Sequence, residues 1–394
     1  MKRPDAPGPL HRRGPRPLLL HLTQGMRHWQ DWQNGSPNWS ENWQNFPTSS
    51  FLGNPELVAG IAAYRRHPYH RSLIDPQVIW EEGESRLLDY GTDAFKGGAP
   101  ILFIPSLVNR AYILDLMEDR SFLRYLASQG HRPLLLDWGW PAEEERGFTL
   151  TDLVAGRMER ALAAVGQKVT LAGYCMGGLL ALACAQRRPD LVQALALLAT
   201  PWDFHAPDPA PARRLAEALP ALRPMIEFTH SLPVDALQYL FATLDPDQIA
   251  RKYRGFAALD PASDVAIRFV ALEDWLNDGV PLAGPIAVEC LEGWYGANKP
   301  MNLAWRIAGL PVEPRKLRMP CLVAVPDRDH IVPAEQALPL AAQIEGATLL
   351  RPRAGHIGMV AGSRATEQLW QPFSNWLSGL PRPHTASISR LRKL

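Results

Sequence analysis

One cysteine stands where a nucleophile would. Cys175 lies in Gly173-Tyr174-Cys175-Met176-Gly177-Gly178, between the apolar run Val169–Ala172 and a run of small residues. This is the G-x-nucleophile-x-G spacing of a sharp strand-to-helix turn that lifts a reactive side chain clear of a sheet. Gly173 and Gly177 flank the turn, where a Cβ would meet neighbouring backbone. The helix that follows aims its N-terminus at the sulfur, which favours thiolate. The backbone N–H of Met176 then faces a developing oxyanion. The chemistry is acyl transfer. A thiolate takes an acyl group from a thioester in a near-isoenergetic exchange, keeps it activated, and can pass it to an alcohol.

Such a nucleophile needs a base and an acid to orient it. In folds built on this elbow the chain order is nucleophile, acid, histidine. Of eleven histidines only His330, His356 and His384 come late enough. His384 sits in the C-terminal tail, and His330 adjoins the candidate acids. His356, preceded by Gly355 and following a strand, is read as the general base. Two acids, Asp327 and Asp329, follow the strand that ends at Val325. Cys184, Cys290 and Cys321 read as core or cap fillers, and the four cysteines show no paired metal-ligand spacing.

The elements that must hold these residues alternate. Gln77–Trp80 and Ser85–Asp89 read as antiparallel edge strands, and Pro100–Pro105 as a buried parallel strand. Ser121–Gln129 reads as a helix, His131–Asp137 as a strand, and Leu150–Val165 as a helix introduced by Thr149. Then come Val169–Tyr174 (strand), Gly177–Arg187 (helix) and Ala194–Ala199 (strand). After a break the alternation resumes with Cys321–Val325, Ala334–Ile344, Ala347–Arg351 and the helix Ser363–Ser378. This predicts an α/β class with a mostly parallel sheet and helices on both faces. The break, 202–318, is helical, Pro-punctuated and aromatic, with expected helices at Ala212–Glu217, Val234–Ala242, Ser263–Asn277 and Gly284–Tyr295. It reads as an inserted cap that keeps water from an apolar substrate. The expected organisation is therefore an N-terminal arm and helix over 1–75, a core in two parts over 76–201 and 319–380, the cap over 202–318, and a basic tail over 381–394.

Within the arm, Asn54 reads as the cap of a helix reaching Tyr69, with Pro55 first and Leu57 and Ile61 on one face. Before it, Trp29, Trp32, Trp39 and Trp43 crowd a polar stretch. They suit an arm packed on the main domain or one lying on an apolar surface. The net charge of +1 gives no footprint for nucleic acid. No stretch approaches a membrane span, the first apolar run is too short for a signal peptide, and the cysteines suit reduced thiols. A cytoplasmic protein is expected.

Four separated stretches resemble polyhydroxyalkanoate synthases, in that family's order. They are the elbow itself; Leu107-Val108-Asn109-Arg110-Ala111-Tyr112-Ile113-Leu114-Asp115-Leu116, continuing to Leu136-Asp137-Trp138-Gly139; Asp329-His330-Ile331-Val332-Pro333; and Gly355-His356-Ile357. The resemblance, closest to the short two-subunit type, covers about residues 75–380. It implies an α/β-hydrolase fold and polymerisation of (R)-3-hydroxyacyl-CoA with release of CoA. The thioester is a substrate, and no cofactor or metal is implied. It points to Asp329 rather than Asp327 as the acid, and to the backbone N–H of Val108 as the second oxyanion donor. It further implies a growing polyester, a granule surface, and a homodimer or second synthase subunit as partners. A hydrolase of the same fold, acting on thioesters, lactones or the polymer, would use the same three side chains. The cap follows the family only loosely, and the Trp-rich arm has no counterpart in the two-subunit type.

Overall fold

Apolar runs with no polar break must be covered on both faces, and here they form the centre of one sheet. The computed structural model describes residues 12, 14–18, 55–242 and 248–381. The four tryptophans of the arm, the capping Asn54 and the basic tail lie outside the described residues. In chain order the main strands are β1 (Gln77–Glu82), β2 (Ser85–Asp89), β3 (Ile101–Ile104), β4 (Pro133–Asp137), β5 (Val169–Tyr174), β6 (Val192–Leu198), β7 (Cys321–Ala324) and β8 (Thr348–Leu350). They form an eight-stranded sheet in the order β1-β2-β4-β3-β5-β6-β7-β8. β1 and β2 join antiparallel, and β3 to β8 run parallel with β4. The chain has the α/β-hydrolase fold.

Side chains of a strand alternate between faces, and the core divides accordingly. Leu102, Ile104, Leu171, Leu195, Leu197 and Val323 pack on one face with Leu179, Leu180 and Leu182 of the elbow helix, Met176–Arg187. Phe103, Ala172, Tyr174, Leu198 and Ala324 pack on the other with Phe122, Leu126, Trp370 and Phe373. Both faces are dry, so every position of β5 is buried. The register aligns Ile104 with Gly173, Tyr174 with Leu198, and Leu198 with Ala324. Loops leaving these positions emerge together at one edge of the sheet.

Local signals set several element ends. Ser121 caps Phe122–Ser128 by accepting from the Arg124 amide at 3.0 Å. Thr149 and Asp152 cap each other's amides at the start of the next helical segment. That segment differs from expectation: a π-helix, Asp152–Met158, runs into an α-helix, Glu159–Ala164. The final helix is likewise split, into Thr366–Trp370 and Gln371–Ser378.

Between β6 and β7 the chain is mainly helical. Ala210–Glu217, Val234–Ala242, Asp264–Asn277 and Gly284–Val288 answer to expected helices, the last continued by a π-helix, Glu289–Gly296. Leu219–Thr229 and Gln248–Ala257 were not expected. In the first, Pro220 occupies the opening turn, where its missing N–H costs nothing, and Pro224 follows inside the helix. The second buries only Tyr253 and Phe256. It crosses the N-terminal helix Pro55–Arg66 so closely that a Cβ on Gly60 would strike the Tyr253 carbonyl.

Candidate active site

The elbow is built by close backbone contacts. A side chain on Gly173 would strike Gly177 and Gly178 at the head of the helix. One on Gly177 would strike the Ile104 and Pro105 carbonyls at the end of β3, and one on Gly178 the Thr200 side chain. Strand, helix and neighbouring strand therefore meet only because these positions lack a Cβ. Cys175 takes φ 56° and ψ −126° between them, a conformation that costs a non-glycine residue roughly 1–3 kcal/mol. It is fixed by its amide bond to the Leu198 carbonyl and by the Gly178 amide on its own carbonyl, both 2.9 Å. Met176 opens the helix, so its N–H belongs to the first turn, whose amides lack intrahelical partners.

His356 and Asp329 arrive from the neighbouring loops. Asp329 Oδ2 lies 2.6 Å from His356 Nδ1, and both side chains are buried. The other carboxylate oxygen accepts the amides of Ile331 and Val332, each at 2.8 Å. With Nδ1 engaged, the second ring nitrogen is the one left for Cys175, whose charge acts on the imidazole. Burial pulls the His356 pKa down. The charge of Cys175, the bond to Asp329, the bond to Cys175 and the Asp329 charge outweigh it and push the pKa up to about 10. Asp327 instead faces solvent and pairs with Arg351, 2.8 Å from its Nε, and His330 is exposed. His356 ends the loop after β8 and opens a short helix, His356–Ala361.

Two tyrosines at this site carried no signal as site residues. Tyr174 donates its hydroxyl to the His356 carbonyl at 3.2 Å, and its ring lies 5.1 Å from the imidazole at 36°. Tyr295 comes from the segment between β6 and β7. Burial pushes its hydroxyl pKa up, and the charges of Cys175 and then Cys290 add to the rise. Its ring meets Phe204 edge-on at 5.0 Å. The sequence marked Tyr174 only as the variable position before the nucleophile, with no role attached. No signal existed for Tyr295, whose electrostatic link to Cys175 is purely tertiary.

Val108 is buried on the loop after β3, whose first carbonyls lie against Gly177 of the elbow. Its amide makes one long contact, 3.4 Å to Ser106 Oγ, and its carbonyl accepts from Val280 at 2.9 Å. A cleft opens beside this loop, walled by Leu107, Trp138 and Phe148 of the core and by Val280, Leu282 and Ile286. Cys184, Cys290 and Cys321 are buried, and Cys175 is half-buried. Burial raises the Cys184 and Cys290 thiol pKa values and pushes that of Cys321 up to about 12. Asp115 is fully enclosed, gripped by Arg71, Arg124 and Tyr90. Asp137 and Asp203 cap turns at Gly139 and His205. Among the described residues no cluster of three or more His, Cys, Asp or Glu is arranged to hold a metal, and no helix is long and apolar enough to cross a membrane.

A strained thiol on an elbow, a buried histidine and a carboxylate on successive loops of a parallel sheet place the chain in the α/β hydrolase family, which it matches over residues 101–370. Within that broad family the chain belongs to the poly(3-hydroxyalkanoate) polymerase subunit PhaC family. It is 32% identical to that subunit of Haloferax mediterranei over 318 residues, 77% of this chain and 63% of that protein. To the subunit of a Synechocystis strain it is 30% identical over 292 residues, 71% of this chain and 77% of the relative. The Allochromatium vinosum subunit is 28% identical over 308 residues, 75% and 86% of the two chains. The match thus spans less than two thirds of the Haloferax protein.

Proposed function

We propose that this chain is a polyhydroxyalkanoate synthase that polymerises (R)-3-hydroxyacyl-CoA, with Cys175 as nucleophile, His356 as base and Asp329 as the acid that orients it. The observation that carries this reading is the buried His356–Asp329 pair at 2.6 Å, acting on a cysteine that stands on the elbow where the fold's hydrolases use serine. In the first half-reaction the Cys175 sulfur attacks the thioester carbonyl while His356 holds the thiol proton. The amides of Met176 and Val108 receive the oxyanion. The carbon–sulfur bond to CoA breaks and the departing CoA sulfur takes the proton from His356, leaving an acyl-cysteine. In the second, His356 removes the proton from the hydroxyl of a hydroxyacyl unit, whose oxygen attacks the acyl-cysteine. An ester forms and the Cys175 sulfur is released.

The electrostatics suit both halves. The charge of Cys175 is the largest influence raising the His356 pKa. Acylation removes that charge, so the ring loses basicity and is ready to be found neutral when the alcohol arrives. In this reading 76–201 and 319–380 form the catalytic core, 202–318 is a lid, and 1–75 and 381–394 are an arm and a tail. The enzyme works in the cytoplasm at the surface of polymer granules, as a homodimer or with a second synthase subunit. The test is product analysis with (R)-3-hydroxybutyryl-CoA, with and without a partner subunit. Released CoA should be matched by insoluble polyester, measured after methanolysis, with little free 3-hydroxybutyrate. One free acid per CoA under both conditions would overturn the reading in favour of a cysteine hydrolase.

A further inference from the structure

The loop between β3 and the turn at Ala111 must present the Val108 amide in one orientation, yet it is held mostly from outside. The Val108 carbonyl accepts from the Val280 amide at 2.9 Å. Asn109 pairs antiparallel with Gly279 in an isolated β-bridge. The Arg110 carbonyl accepts from the Trp275 indole N–H at 2.7 Å, with Trp275 only 5% exposed. Asp278 adds a side-chain tie, 3.9 Å from the Arg110 guanidinium. One short segment, Trp275–Val280, therefore touches the loop at each residue from 108 to 110. The core supplies fewer ties at this point: Trp138 Nε1 at 3.3 Å on the Pro105 carbonyl, and the Ser106 hydroxyl on Val108.

We infer that Trp275 is a positioning residue for the reaction, fixing through Arg110 the backbone that aims the Val108 N–H at the oxyanion. This rests on the synthase reading above and its use of Val108. The physical reason is that a part-buried carbonyl deprived of its donor is drawn toward another one. With the indole N–H removed, the Arg110 peptide turns toward another donor. The backbone dihedrals of 108–110 are linked, so the Val108 amide turns with it. Trp275 touches the reacting carbonyl only through this backbone, so its loss acts on the transition state and not on binding of the ground-state thioester. The ties come from the segment between β6 and β7. The donor is in place only while that segment sits on the core, which links carbonyl activation to closure over the thioester.

The test uses the full chain and Trp275→Phe, which keeps an aromatic ring and deletes the donor. Loss of one oxyanion donor outright costs about 100- to 1,000-fold in turnover, and misaiming one should cost about 10- to 100-fold. The expected result is that fall in kcat with KM within about two-fold, the pattern of an interaction made only in the transition state. A trifluoromethyl ketone analogue of 3-hydroxybutyryl-CoA, which forms an oxyanion adduct on a thiol, should lose affinity by the same factor, and CoA itself should bind as to the parent. Asp278→Asn loses the ionic tie to Arg110 and should show the same pattern at about two- to five-fold. It carries the test if Trp275→Phe does not fold. Unchanged kcat and analogue affinity, or a rise in KM matched by weaker CoA binding, overturns the inference. The two readings fail separately. If the parent chain binds the ketone no tighter than CoA, the thiol and oxyanion reading has failed. If the parent binds it tightly and the variants bind it equally well, only the role of Trp275 is refuted.

Discussion

Replacing Asp329 by asparagine tests the acid through its geometry. One carboxylate oxygen accepts two amides, from Ile331 and Val332 at 2.8 Å, and the other meets His356 Nδ1 at 2.6 Å. An asparagine can satisfy two backbone donors only with its carbonyl oxygen, so its NH₂ must turn to His356. Nδ1 then has to accept, and the ring proton moves to the nitrogen facing Cys175. A ring already protonated there cannot take the thiol proton. The wrong tautomer costs about 10⁴-fold in turnover, which is about 5.4 kcal/mol of barrier. The size and shape of the side chain are conserved, so the melting temperature should move little. The assay is initial CoA release, followed with a thiol reagent, with KM determined in parallel. Asp327→Asn is the matched control, because Asp327 only pairs with Arg351 at the surface, and exposed pairs are worth about 1 kcal/mol or less. Its turnover should stay within about two-fold. If Asp329→Asn keeps more than about a tenth of the activity, or if Asp327→Asn is the more damaged variant, the orienting role does not belong to Asp329.

Two further outcomes follow from the same site. Cys175→Ala should abolish CoA release, whereas Cys184→Ala should retain it. The Cys184 thiol is enclosed in the core with its pKa raised by burial, so iodoacetamide should label the Cys175 peptide first, and labelling at Cys184 or Cys290 with an active Cys175→Ala would refute the assignment. The His356 pKa lies at about 10 in the folded chain against about 6.5 when unfolded. A raised pKa means the folded state binds the proton more tightly, so this stabilisation is complete below about pH 6.5 and is lost as pH rises through about 10. The melting temperature of the parent should fall toward that of His356→Gln between those limits, and a pH-independent gap would count against the shift.

Much of this site is legible because its chemistry is encoded locally. The bounds of β5, Val169–Tyr174, follow from an unbroken apolar run ended by an elbow. Gly173 and Gly177 are readable because the turn admits no Cβ there. Asp329 was separable from Asp327 only through the resemblance of its loop to a known family, since both follow the same strand. Its physical distinction, two backbone amides on one oxygen and a histidine on the other, is visible only in the fold. Helices fail where their signal is shared with loops, as at Leu219–Thr229 with Pro220 and Pro224.

The contacts between the core and the segment that covers it have no local signature. Trp275 and Arg110 are 165 residues apart in sequence, and Tyr295 meets Phe204 from a stretch legible only as aromatic and helical. Nothing in the spacing of either residue announces its partner, because the partner is chosen by how two folded units meet. The proposed nucleophile, base and acid, Cys175, His356 and Asp329, depend on strand ends that the sheet aligns by its own register. The Val108 amide depends on that meeting instead. A chain of this fold could keep all three reactive side chains in order and still lose turnover through a change at Trp275 or Val280, with its elbow motif intact.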